Sequence, residues 1–192
     1  MNRQRAVFLD RDGTINIDTG YLYRIEDFRF ISRAIEALRL LKSHGYKLIV
    51  VTNQSGVARG FYKESDIIRL HAYINQRLKQ EGADIDHFYY CPHHPEAAVT
   101  AYRQVCSCRK PEPGLLLRAA AEHPIDMASS YCIGDKCRDV IAGKRAGCRT
   151  LLIIPEAQSL SPKAIHSQFP CRESVDSVAG SLYEAACAIT NL

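Results

Sequence analysis

Five short apolar runs, separated by stretches of helical periodicity, constrain this chain more than any other feature. They cover residues 6–10, 47–52, 87–91, 131–134 and 150–154. Runs of this length, rich in Val, Ile and Leu, suit strands buried on both faces. Between them, Ser32 can cap a helix carrying Ile35, Leu38 and Leu41, ended by Gly45. Ser65 or Asp66 can open a second, with Ile67, Leu70, Ile74 and Leu78 before Gly82. Pro113 leads a third helix over 112–122, and 138–146 forms a fourth that stops at Gly147. The alternation predicts an α/β fold, a Rossmann-like parallel sheet with helices on both faces. Residues 155–172 read as loop and 181–189 as a last helix, so 1–192 reads as one domain with a tail from 155.

In open parallel sheets, ligands sit beyond the carboxyl ends of the strands. The first strand ends in Asp10-Arg11-Asp12-Gly13-Thr14. Two carboxylates at i and i+2 share a site only if the chain turns, and Gly13 permits the turn. One can attack phosphorus while the other moves protons. An isolated acidic pair is more often a solvated turn; its place after a buried strand favours function. The second strand ends in Thr52-Asn53-Gln54-Ser55, whose hydroxyl and backbone N–H groups can hold phosphate oxygens. Arg109-Lys110-Pro111 follows the third, and an ammonium there would offset phosphate charge. Gly134-Asp135-Lys136 closes the fourth, with Asp139 four residues beyond Asp135 as a structural acid. Asp10, Asp135 and the backbone carbonyl of Asp12 form an oxygen set suited to magnesium. Singly these signals are weak; their order at successive strand ends makes them strong.

The segment between the third strand and Lys110 carries Cys91-Pro92-His93-His94-Pro95 and then Cys106-Ser107-Cys108. Cys91, His93, Cys106 and Cys108 supply three thiolates and an imidazole, a closed tetrahedral zinc set with no open position. The metal would be structural, ordering a long polar loop over 91–108 and placing Arg109 and Lys110. His94 is an alternative to His93 as ligand, or a catalytic base. The other five cysteines, Cys132, Cys137, Cys148, Cys171 and Cys187, read as reduced thiols used as small apolar residues.

The 192 residues carry a net charge of +4, suited to small anions and too small to argue for nucleic acid. Neither an export signal nor a run long enough to span a bilayer stands in the sequence, so a cytoplasmic monomer without membrane or nucleic-acid partners is expected.

These motifs resemble those of the haloacid dehalogenase-like hydrolase superfamily, over about residues 5–154. The resemblance implies Asp10 as nucleophile, Asp12 as general acid/base, Thr52 and Lys110 as phosphoryl stabilisers and Asp135 as the residue completing the magnesium site. The zinc loop resembles that of the heptose bisphosphate phosphatases and the related histidinol-phosphate phosphatases; its length is closer to the heptose group. Asp18-Thr19-Gly20-Tyr21 is similar to the heptose group's substrate loop. On that likeness Asn53, Gln54, Ser55, Arg109 and Lys136 also touch a sugar phosphate. The segments after Thr14 and after Thr52 are too short for a cap domain, which implies an open site. The rivals are a histidinol-phosphate phosphatase, a phosphotransferase lacking the lid it would need, and a zinc-stabilised nucleic-acid-binding module.

Overall fold

The computed structural model describes residues 3–155 and 170–191. Six strands form one parallel sheet: β1 Ala6–Leu9, β2 Lys47–Asn53, β3 His87–Cys91, β4 Tyr131–Gly134, β5 Arg149–Ile153 and β6 Ser177–Ala179. Among the described residues, five α-helices accompany them: α1 Ala34–Ser43, α2 Glu64–Gln80, α3 Gly114–Glu122, α4 Cys137–Arg145 and α5 Leu182–Thr190. The spatial order is β3-β2-β1-β4-β5-β6. The order reverses between β1 and β4, so a crevice opens beyond their carboxyl ends.

Alternation along the strands fixes which helices lie on which face. Val7 and Leu9, with Leu48 and Val50, pack against apolar residues of α1, α2 and α5. Ala6 and Phe8, with Ile49 and Val51, pack against Leu115, Leu116 and Ala119 of α3 and Ala142 of α4. All four residues of β1 are fully buried. No inserted domain separates β1 from α1 or β2 from α2. None of the described helices is long and apolar enough to cross a membrane.

Three expectations are corrected. α1 starts at Ala34, not at a Ser32 cap, because the Ile31 N–H is held by the Ile15 carbonyl at 3.0 Å and Arg33 takes a positive φ of 60°. α3 starts at Gly114, whose N–H donates to the Ser107 carbonyl at 2.9 Å. Cys137 and Cys171 are not free thiols: they are joined by a disulfide, their Cα atoms 5.4 Å apart. Packing of Cys171 with Val140, Leu152 and Ile154 brings the two together. β6 went unforeseen. Most of the expected 155–172 loop lies outside the described residues.

Candidate active site

β1 and β4 run side by side, so the residues after them meet. The Asp10 N–H donates to the Ile133 carbonyl at 3.0 Å, which fixes Asp10 at the sheet's rim. Carboxylate oxygens of Asp10, Asp135 and Asp139 lie within 4.8 Å of one another. Gly13, with φ +87°, passes directly over this group; a Cβ there would overlap the Asp135 carboxylate.

Lys110 enters the same cluster from the loop before α3. Its Nζ stands 2.9 Å from Asp10 Oδ1 and 2.8 Å from Asp139 Oδ1, and donates to the Val51 carbonyl at 2.6 Å. The side chain is fully buried. Burial alone would depress the ammonium, but the Asp10 and Asp139 carboxylates hold it above its ordinary range. Asn53 aligns the residue: its amide donates to the Lys110 carbonyl and accepts from the Lys110 N–H, each at 3.0 Å. Asp139 also accepts from the Lys136 N–H at 3.0 Å at the start of α4. Burial pushes the Asp139 carboxyl up to about 6, against the pull of Lys110.

Asp135 is raised by burial and by Asp10, and lowered by a hydrogen bond from Lys136. Its Oδ2 pairs with Lys136 Nζ at 2.8 Å, whereas its buried Oδ1 has no hydrogen-bond partner. An orphaned carboxylate oxygen beside two more acids fits a divalent cation. The site therefore suits magnesium, with Asp10 and Asp135 offering carboxylate oxygens.

Asp12 lies apart from that trio. Its carboxylate accepts from Arg11 Nε at 3.1 Å, Arg11 Nη2 at 2.9 Å, Asn16 Nδ2 at 2.9 Å and Gln54 Nε2 at 2.9 Å. Gln54 also donates to Thr52 Oγ1 at 2.9 Å and accepts from the Tyr62 hydroxyl at 2.9 Å. Both amides, Asn53 and Gln54, are thus engaged within the protein. Arg11, fully buried, was given no role by sequence reasoning. The motif Asp-Arg-Asp was the available signal, but burial of the middle residue could not be read from it.

The remaining candidates lie in the segments that follow β1, β2, β3 and β4. Asp18 Oδ1 accepts from the Gly20 N–H at 2.9 Å, closing a tight turn in which Thr19 and Tyr21 are exposed. The Tyr21 ring meets Phe61 edge-on at 4.7 Å. Lys136 is raised first by its hydrogen bond to Asp135, with Asp18 among the charges that contribute. Half-buried Arg109 donates from Nη1 to the His93 carbonyl at 3.2 Å. Ser55 is half-buried after β2.

The Cys/His cluster assembles 91–108 into one knot. Sulfur separations are 3.6 Å for Cys91–Cys106, 3.2 Å for Cys91–Cys108 and 3.3 Å for Cys106–Cys108. His93 Nδ1 lies 3.8 Å from Cys91 and 3.3 Å from Cys108. A tetrahedron of thiolates around zinc has edges of about 3.8 Å, given a Zn–S bond of about 2.3 Å. The observed edges approach that figure. Burial pushes the Cys91 and Cys108 thiols up, so their thiolate forms would call for a cation beside them. His93, not His94, joins the sulfurs. His94 instead stands 3.4 Å from Arg59 Nη2 and accepts from the Glu96 N–H at 3.1 Å.

A family model described as HAD-hydrolase-like matches residues 107–169. The D-glycero-beta-D-manno-heptose-1,7-bisphosphate 7-phosphatase of Photorhabdus laumondii is 48% identical over 159 residues, 83% of this chain and 85% of that protein. The Escherichia coli protein of the same name is 47% identical, over 83% of each chain. A solved D,D-heptose 1,7-bisphosphate phosphatase from B. bronchiseptica, complexed with magnesium and phosphate, superimposes with a TM-score of 0.80 at 26% identity. It covers 97% of this chain and 98% of its own. With the rim geometry and these likenesses together, the chain belongs to the HAD-like hydrolases, in the family of D-glycero-beta-D-manno-heptose-1,7-bisphosphate 7-phosphatases.

Proposed function

We infer that this chain is a phosphoric monoester hydrolase that removes the 7-phosphate of D-glycero-D-manno-heptose 1,7-bisphosphate through an aspartyl-phosphate on Asp10. The observation that carries the reading is the meeting of Asp10, Lys110, Asp135 and Asp139 beyond the ends of β1 and β4. The identity to two curated 7-phosphatases supports the substrate.

Asp10 attacks phosphorus in line. Lys110, fixed by Asn53, offsets charge on the transferring phosphoryl group, and Thr52 lends a hydroxyl. Asp12 gives a proton to the leaving sugar oxygen and then takes one from the water that cleaves the aspartyl-phosphate. Asp10, Asp135 and the Asp12 carbonyl would hold magnesium, which would supply further charge neutralisation. Cys91, His93, Cys106 and Cys108 would hold zinc, which would order the loop that delivers Arg109 and Lys110. Asp18, Thr19, Gly20, Tyr21, Ser55, Arg109 and Lys136 form the rim that meets the sugar.

Asp10→Asn removes the nucleophile at nearly constant shape. Phosphate release from the heptose bisphosphate should fall to background while the thermal unfolding midpoint stays near that of the wild type. Substantial residual turnover rejects the nucleophile. Parallel rates on histidinol phosphate test the substrate: equal or faster release from that compound rejects the heptose assignment.

A further inference from the structure

The side chain of Arg11 lies wholly inside the protein although it carries a permanent charge. Each of its contacts is accounted for. Nε and Nη2 grip the two Asp12 oxygens at 3.1 and 2.9 Å, and Nη2 also donates to the Leu22 carbonyl at 2.9 Å. Nη1 faces His71 Nε2 at 3.2 Å. A guanidinium has no lone pair to offer. Nε2 must therefore be the accepting nitrogen, and the imidazole is neutral with its proton on Nδ1.

His71 belongs to α2, an element that sends no residue to the strand-end cluster. It is 5% exposed and stacks on Phe88 with ring centroids 4.6 Å apart. Burial, and then the Arg11 charge, disfavour the imidazolium. The stack fixes the ring, the ring fixes one arm of the guanidinium, and the other arm fixes Asp12.

We propose that His71 is a positioning residue for the reaction. Its neutral Nε2 locks the Arg11 guanidinium in the orientation that presents Asp12 to the leaving oxygen. The proposal rests on the acid/base reading of Asp12 given above. Without an acceptor at Nε2, Nη1 is left buried and unpaired, and Arg11 turns to satisfy it. The Asp12 carboxylate then turns with Arg11. Asp12 moves protons at the leaving oxygen and at the attacking water and does not bind the substrate in its ground state, so the defect falls on kcat and spares KM.

The test is steady-state kinetics on the heptose bisphosphate for His71→Leu and His71→Gln, with thermal midpoints measured alongside. His71→Leu lowers kcat by roughly 10- to 100-fold, the scale of a small misplacement of a reacting group, while KM stays close to wild type. His71→Gln carries an amide oxygen at the reach of Nε2 and recovers most of the lost kcat. Equal kcat for the two variants, or a loss confined to KM, overturns the proposal. Should His71→Leu fail to fold, Arg11→Lys puts the same question. It keeps the charge but cannot grip Asp12 with two nitrogens, and an unchanged kcat overturns the proposal. Asp12→Asn separates the two levels. Wild-type turnover in Asp12→Asn overturns the acid/base reading itself. An inactive Asp12→Asn beside a full-rate His71→Leu overturns the positioning role alone.

Discussion

Taking away the Lys110 ammonium leaves Asp10 and Asp139 facing each other with no cation between them. Breaking a buried pair by removing one partner costs about 3–5 kcal/mol. Lys110→Met is expected to lose that amount in a denaturant titration at neutral pH. The loss should shrink as pH falls, because the two acids can then take up protons. His71 gives a second test at this scale. Its imidazole is held well below its ordinary pKa in the folded chain, first by burial and then by Arg11. The unfolded chain therefore binds more protons than the folded one below about pH 6.5. Stability should be complete above that value and decline as the solution is acidified, by at most about 1.4 kcal/mol per pH unit for one group. His71→Gln should flatten that part of the profile; an unchanged slope means that another group titrates. Asp10, Lys110 and Asp135 were legible in the sequence because the ends of parallel strands must share a rim. The role of Arg11 was not, because its burial depends on Leu22 and on His71, the latter 60 residues away.

The Cys/His loop is the element most dependent on something other than its own packing. It runs from the end of β3 to the start of α3, and few large apolar residues lie within it. Its exit is tied to α3 by the Gly114 hydrogen bond to Ser107 and to β2 by the Asn53 clamp on Lys110. Treatment with a strong chelator should expose three thiols, lower the unfolding midpoint and reduce turnover together. Cys108→Ala should do the same without chelator. Stability and activity that both survive either treatment would leave the cluster without a structural metal. The ligand spacing made this loop readable. The start of α1 was not, because the Arg33 guanidinium lies 3.3 Å above the Tyr183 ring of α5, a contact between distant parts of the chain. β6 has three residues, of which only Ala179 is buried, too little apolar pattern to announce a strand.

Across the molecule, the tail completes the fold. Leu182, Ala185, Ala186 and Ile189 of α5 belong to the same buried cluster as Ala34, Ala37, Leu38 and Leu41 of α1. β6 adds the final strand beside β5, and the disulfide ties Cys171 to the first residue of α4. A chain ended after Pro155 should therefore lose cooperative unfolding and aggregate, although it retains every candidate site residue. A truncated protein that melts at the wild-type midpoint would show the tail to be dispensable.

The pairing of α5 with α1 also bears on how the molecule is made. A ribosome moving at about 5–20 residues per second needs about 7–30 s to go from the first helix to the last described one. During that interval the apolar side of α1 waits for its mate, and β1 lacks its β4 neighbour until residues 131–134 emerge. The nascent chain thus carries apolar surface while it is still attached, and helpers that shield such surfaces have work to do before the C-terminal helix appears.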